Sequence, residues 1–222
     1  MIDSDPKVAI VDFGLGNLYS VRHACRKVGL DAEITASRQA ILNADAVILP
    51  GVGAYRDAMK NLRSLDLVGV LRDIAASDKP LLGICLGMQL LMSESSEFGH
   101  HEGLDIIKGT VIHFGQPHEE ARTLKVPQIG WNRIQKSGPG TDWRTSLLAG
   151  VPDDAYMYFV HSYIVQPEDQ NMVLSTTRYG DVEFCSSLQK GTVFACQFHP
   201  ERSSQWGIAI YQNLAAYFDR AI

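Results

Sequence analysis

Apolar and polar positions in the first half of the chain alternate between two kinds of segment. Short apolar runs at residues 8–11, 32–34 (interrupted by Glu33), 46–49 and 81–85 each precede a stretch whose apolar residues recur every three or four positions. Those stretches lie at 18–28, 38–42, 54–62 with 68–76, and 86–92. Strand before helix, repeated, predicts an α/β fold. Its central sheet is mostly parallel, with helices on both faces and ligands at the carboxyl ends of the strands. After about residue 103 the period shortens to two, in runs at 109–114, 130–135, 156–160, 173–179 and 182–188, which predict an antiparallel or mixed strand region. Tyr179-Gly180-Asp181 and Lys190-Gly191 are expected hairpin turns, because glycine reaches positive φ without a steric penalty. A last helix is predicted over 205–220, with Ile208, Tyr211, Leu214, Ala215 and Phe218 on the face that packs back on the sheet. No internal repeat or low-complexity tract interrupts the pattern, although 136–145 is polar and loop-like.

Composition narrows the class of function. With 222 residues, 45% of them hydrophobic and 20% charged, residues 1–222 are expected to form a single domain around one core. A net charge of -5 argues against nucleic acid as a partner, since phosphate-backbone binders carry a basic excess or stripe. The first apolar run is broken by Asp12 before a secretory or membrane-spanning segment is complete, so the chain is expected to be cytoplasmic, with no membrane partner. Cys25, Cys85, Cys185 and Cys196 are far apart and form no C-x-x-C pair, which reads as reduced thiols. His100-His101-Glu102 lacks spaced partners for a metal and is expected to be a solvated loop. Gly14-Leu15-Gly16-Asn17-Leu18-Tyr19 follows the first strand as a dinucleotide fingerprint would, with Asp31 or Glu33 as the ribose carboxylate, but Tyr19 occupies the place of the third glycine. No cofactor and no metal are therefore expected.

Chemistry enters with Gly83-Ile84-Cys85-Leu86-Gly87, which has the form of a nucleophile elbow, and with the distant Phe198-His199-Pro200-Glu201. By itself the first motif is more often a buried structural cysteine. Followed by His-Pro-Glu, it reads as a Cys-His-Glu triad. His199 and a helix beginning near Leu86 would favour the Cys85 thiolate, and His199 would protonate a leaving amine. Glu201, two residues on along an extended segment that Pro200 keeps out of helix, would accept the other ring N–H and fix the tautomer. The backbone N–H groups of Val52, in Pro50-Gly51-Val52-Gly53, and of Leu86 are the oxyanion donors expected for a tetrahedral intermediate. His161, after an apolar strand, is expected to be a hydrogen-bonded structural histidine.

Gly83-x-Cys85-x-Gly87-x-Gln89 and the distal His199-Pro200-Glu201 resemble the class I, triad glutamine amidotransferases. Further segments are similar, in the same order, to the glutaminase subunits of imidazole glycerol phosphate synthase within that family. They are Val11-Asp12-Phe13-Gly14-Leu15-Gly16-Asn17-Leu18, Leu49-Pro50-Gly51-Val52-Gly53-Ala54, Gly130-Trp131-Asn132 and Tyr158-Phe159-Val160-His161-Ser162-Tyr163. The resemblance covers nearly the whole chain. It implies a class I glutamine amidotransferase-like fold, in which Cys85 forms a thioester with glutamine, His199 is the general acid and base, and Glu201 orients it. Gly53, Gln89, Ser162 and Tyr163 would hold the amino-acid end of glutamine. It also implies a heterodimer with a (βα)8-barrel synthase subunit, which receives ammonia through an internal tunnel and makes imidazole glycerol phosphate for histidine biosynthesis. Asn17, Trp131, Tyr158 and Arg202 would line the docking face. Arg202 stands where lysine is common, and Gln128 where histidine is frequent. Those departures keep open a paralogous glutaminase subunit that supplies ammonia for surface-sugar (lipopolysaccharide) amidation. A free-standing cysteine γ-glutamyl hydrolase and a non-catalytic binding protein are the other readings.

Overall fold

The computed structural model describes residues 6–219. Its first half is β1 (Lys7–Val11), α1 (Leu18–Lys27), β2 (Asp31–Thr35), α2 (Arg38–Asn43), β3 (Ala46–Gly51), α3 (Tyr55–Ser64), α4 (Leu67–Ala76), β4 (Leu81–Cys85) and α5 (Leu86–Leu90). The chain continues through β5 (Met92–Ser95), β6 (His101–Glu102), β7 (Ile107–His113), β8 (His118–Glu119), β9 (Arg122–Thr123), β10 (Gln128–Arg133), β11 (Gln135–Lys136), β12 (Tyr156–His161) and β13 (Tyr163–Pro167). It ends with β14 (Val173–Tyr179), β15 (Val182–Lys190), β16 (Val193–Cys196) and α6 (Ser204–Asp219).

The main sheet has eight strands in the order β11-β14-β15-β16-β4-β3-β1-β2. From β2 to β16 the neighbours are parallel, and β15, β14 and β11 add an antiparallel extension. The parallel part, β2-β1-β3-β4-β16, has the flavodoxin-like order and belongs to the class I glutamine amidotransferase-like arrangement expected. β1, β3, β4 and β16 are buried on both faces, which is why they read as apolar runs, whereas the edge strand β2 keeps Asp31 and Glu33 exposed. Ala9 and Val11 of β1 point to a core shared with α3 and α4, whereas Val8 and Ile10 point to one shared with α1 and α6. A second sheet, β13-β7-β5-β6, and the antiparallel ribbon β10-β12 stand beside the carboxyl end of the main sheet.

Three expectations change. The helix predicted over 86–92 stops at Leu90, and Met92 begins a strand, because residues 92–95 find a parallel partner in β7. Long-range pairing overrides the local helical pattern there. His101–Glu102 is not a free loop but pairs antiparallel with β5. The segment after His199 is one 3-10 turn, Pro200–Arg202, not extended chain; Pro200 sits at its first position, where the missing N–H has no helical partner to lose. No helix among the described residues is long and apolar enough to cross a membrane.

Candidate active site

Cys85 is the last residue of β4, between β3 and β16, at the carboxyl end of the parallel sheet. It has φ 54° and ψ -109°, a conformation that costs a non-glycine residue about 1–3 kcal/mol. The surrounding packing enforces it. A Cβ on Gly87 would stand 1.7 Å from the Leu49 carbonyl oxygen, and one on Gly83 would press on Leu91, the Met88 N–H and Ala195 at 3.0–3.3 Å. Missing side chains at these two glycines let α5 lie directly on β3 and β4, so the turn closes and the thiol stands at the strand end.

His199 reaches the same place from β16. Its backbone N–H donates to the Tyr158 carbonyl at 2.9 Å, which ties the motif to the β10-β12 ribbon. The imidazole Nδ1 meets Glu201 Oε1 at 2.8 Å, and the two side chains are only 5% and 2% exposed. The 3-10 turn thus achieves the Glu201 contact that extended chain was expected to make. Nε2 is buried and makes no hydrogen bond. Burial disfavours the imidazolium, but the Cys85 sulfur and the Glu201 carboxylate outweigh it and push His199 up to about 10. A cation so stabilised is the partner that a thiolate requires. The five-residue α5 adds little macrodipole, so the imidazole rather than the helix carries this task.

Gln197 joins the group in a way that the sequence motifs do not announce. It is fully buried, its Nε2 donates to Cys85 Sγ at 3.6 Å, and its Oε1 accepts from Gln89 Nε2 at 3.1 Å. Gln89 also donates to the Tyr163 carbonyl at 3.2 Å, so Gln89 and the Ser162-Tyr163 segment meet beside the thiol. Glu97 is a second residue outside the motifs: it is 9% exposed and accepts from the Tyr55 N–H at the start of α3. In the sequence nothing separates it from the neighbouring Glu94 and Glu102.

Gly51 pairs with Cys85 in register, and Val52 follows it, 40% exposed, with no hydrogen bond to its N–H among the described residues. Gly53 turns away at φ 108°. Leu86, which opens α5, has its Cβ 3.1 Å from where a Gly51 Cβ would lie, so the two donor segments touch. Among the described residues no group of three His, Cys, Asp or Glu side chains gathers as a metal site.

The family model for class-I glutamine amidotransferases matches residues 9–215. This chain belongs to that family. Among similar curated proteins, the imidazole glycerol phosphate synthase subunit HisH of Geobacter sulfurreducens is 43% identical over 208 residues, covering 93% of this chain and 97% of that one. The protein of the same name from Moorella thermoacetica is 44% identical over 206 residues, covering 93% and 92%. Two solved structures share the fold. A glutamine amidotransferase crystal structure has a TM-score of 0.70 at 19% identity, covering 94% of this chain and 98% of that one. The structure of PurLQS from Thermotoga maritima has 0.67 at 16%, covering 96% and 99%.

In this amidotransferase the four cysteines are free and buried. Burial pushes Cys25 up to about 12 and pushes Cys185 and Cys196 well above the ordinary thiol range, which leaves those three as inert thiols. Trp131, Tyr158 and Arg202 form one patch next to His199: the Arg202 guanidinium lies 4.3 Å from the Tyr158 ring centre, and Trp131 meets that ring edge-on at 6.1 Å. Asn17 is exposed at the amino end of α1, and no hydrogen bond or ring contact joins it to the patch among the described residues.

His161 packs among Phe114, Phe159 and Phe184, and its Nδ1 lies 2.9 Å from the Tyr163 carbonyl. Burial pushes its imidazole down to about 4, so the ring stays neutral and donates Nδ1–H. Its folded value lies below the ordinary 6.5, so the unfolded chain binds the extra proton. His161 therefore leaves stability unchanged above pH 6.5 and erodes it as pH falls from 6.5 towards 4, by about 3 kcal/mol in all. The expected NMR result is a His161 ring that does not titrate between pH 8 and about 5. A midpoint near 6.5 would contradict the neutral, buried assignment.

Proposed function

We propose that this chain is the glutaminase subunit of an imidazole glycerol phosphate synthase. The Cys85 thiolate attacks the side-chain amide carbon of glutamine, and the oxyanion is received by the Val52 and Leu86 N–H groups. The carbon–nitrogen bond breaks as the His199 imidazolium gives its proton to the departing nitrogen, which leaves as ammonia. Water, deprotonated by His199, then cleaves the thioester to glutamate and restores the Cys85 thiolate beside the His199 imidazolium. Glu201 keeps the imidazole in the Nδ1–H tautomer throughout. The Gln89, Ser162 and Tyr163 group holds the amino-acid end of the substrate beside Gly53.

One observation carries the acceptor assignment: 43–44% identity runs nearly end to end along relatives bearing that name. Ammonia released into water is protonated and lost as a nucleophile, so the product must pass into a second protein. The patch of Trp131, Tyr158 and Arg202, together with Asn17, fits a docking face for a (βα)8-barrel synthase subunit in a cytoplasmic heterodimer. It lies one hydrogen bond from His199, because Tyr158 accepts from the His199 backbone. An unanchored Val52 N–H fits a gate: one oxyanion donor is worth about 3 kcal/mol, so presenting it on acceptor binding changes the rate about a hundredfold.

The test is glutamate release from glutamine by the chain alone, then with the barrel partner and its nucleotide acceptor from the same organism. Near silence alone and about a hundredfold activation in the full mixture are expected. Failure of that pair to activate would move the acceptor to surface-sugar amidation. Full activity alone would make the chain an independent hydrolase.

A further inference from the structure

The triad ends in an unsatisfied atom. Glu201 gives Oε1 to the imidazole, but Oε2 is buried and has no hydrogen-bond partner. A carboxylate oxygen shut away from water calls for a donor, since leaving it bare costs more than a hydrogen bond ordinarily contributes. The groove between α1 and α6 is lined in part by Glu201, yet Oε2 itself is closed to solvent.

A complementary orphan lies behind it. Tyr211 of α6 is completely buried, and its hydroxyl also lacks a partner. α6 meets the Glu201 turn at backbone distance: a Cβ on Gly207 would stand 1.9 Å from the Pro200 carbonyl oxygen. Tyr211 is one helical turn beyond Gly207 and therefore on the same face. Both Tyr211 and the residues around the triad, Phe198, Cys196 and Cys85, belong to one packed cluster. After burial, the Glu201 charge is the first influence that holds the phenol in its neutral, donating form, ahead of Cys25 and Cys196. Those two sulfurs are weak acceptors, and an ionised carboxylate is the stronger one. Leucine would fill an apolar site on α6 without burying a hydroxyl, so the phenol oxygen calls for a use.

We propose that Tyr211 is a positioning residue that donates its O–H to a water molecule bridging to Glu201 Oε2. The inference rests on the triad reading above. With both oxygens engaged, the carboxylate plane is fixed, and so is the direction in which His199 presents Nε2 to Cys85. The effect belongs to the chemical step and not to glutamine binding.

Tyr211→Phe removes only the oxygen, so the fold is kept. In the activated complex, kcat for glutaminase is expected to fall about tenfold with KM for glutamine unchanged. Made on a Glu201→Gln background, the same change is expected to cost less than about twofold, because the two residues act through one contact. An unchanged kcat for Tyr211→Phe, with Glu201→Gln impaired, would overturn this inference alone. An equal loss on both backgrounds would also overturn it, since packing would then explain the effect. A Glu201→Gln enzyme with full activity would overturn the triad reading and this inference with it.

Discussion

Cys85→Ala is expected to abolish glutamine hydrolysis, with a fall of at least about ten-thousandfold, because no other group at the strand end can form the thioester. The remaining thiols are buried away from the site or, like Cys196, held protonated by the same burial that seats them. Binding to the partner protein should survive: the side chain is 5% exposed and lies beneath the Tyr158 ribbon, not on its surface. His199→Ala should cost nearly as much. Glu201→Gln should cost less, since it orients the base without touching the substrate. Residual turnover within about tenfold of wild type in Cys85→Ala would remove the nucleophile assignment. The same variant tests the electrostatics, because once burial is set aside, Cys85 is the foremost influence raising His199. Its imidazole is expected to titrate well below 10 when that sulfur is gone, as read by NMR.

Gly87→Ala is expected to have the largest effect on stability. Its methyl group would lie 1.7 Å from the Leu49 carbonyl oxygen, a contact with backbone on both sides and no flexible side chain to yield. Either α5 lifts from β3 or the end of β3 is pushed aside, at about 3 kcal/mol or more. For a chain of this size that lowers Tm by about 6–12 °C. Activity should fall further than stability, because β3 leads into Gly51 and Val52, the segment offered to the oxyanion. A melting temperature within about 2 °C of wild type would show that the elbow relaxes more easily than its geometry allows.

Much of the fold is legible in local pattern. The inner parallel strands are buried on both faces, so their runs are uninterrupted, and the helices between them carry one apolar face each. The helical pattern at 86–92 overruns into β5, and β13 is not announced by any alternation of its own. Both strands are held by pairing with β7, a partner that local pattern does not reveal. Triad residues are legible for a different reason: a thiol, an imidazole and a carboxylate have few roles in such spacing. Gln197 and Glu97 are not, because amide and carboxylate side chains are common and only their burial beside Cys85 and Tyr55 singles them out.

The amino-acid sequence by itself determined the alternation of strand and helix in the first half, the glycines that permit close packing, and the three residues proposed for acyl transfer. Those properties are local, or follow from chemical type. Tertiary structure alone decided that β16 lies beside β4, which brings His199 to Cys85 across more than a hundred residues of chain. It also placed the strain on Cys85, joined Gln89 to the thiol through Gln197, and packed α6 against the turn that carries Glu201. Each of these depends on which surfaces meet when the sheet closes and water is excluded, and no periodicity along the chain encodes that meeting.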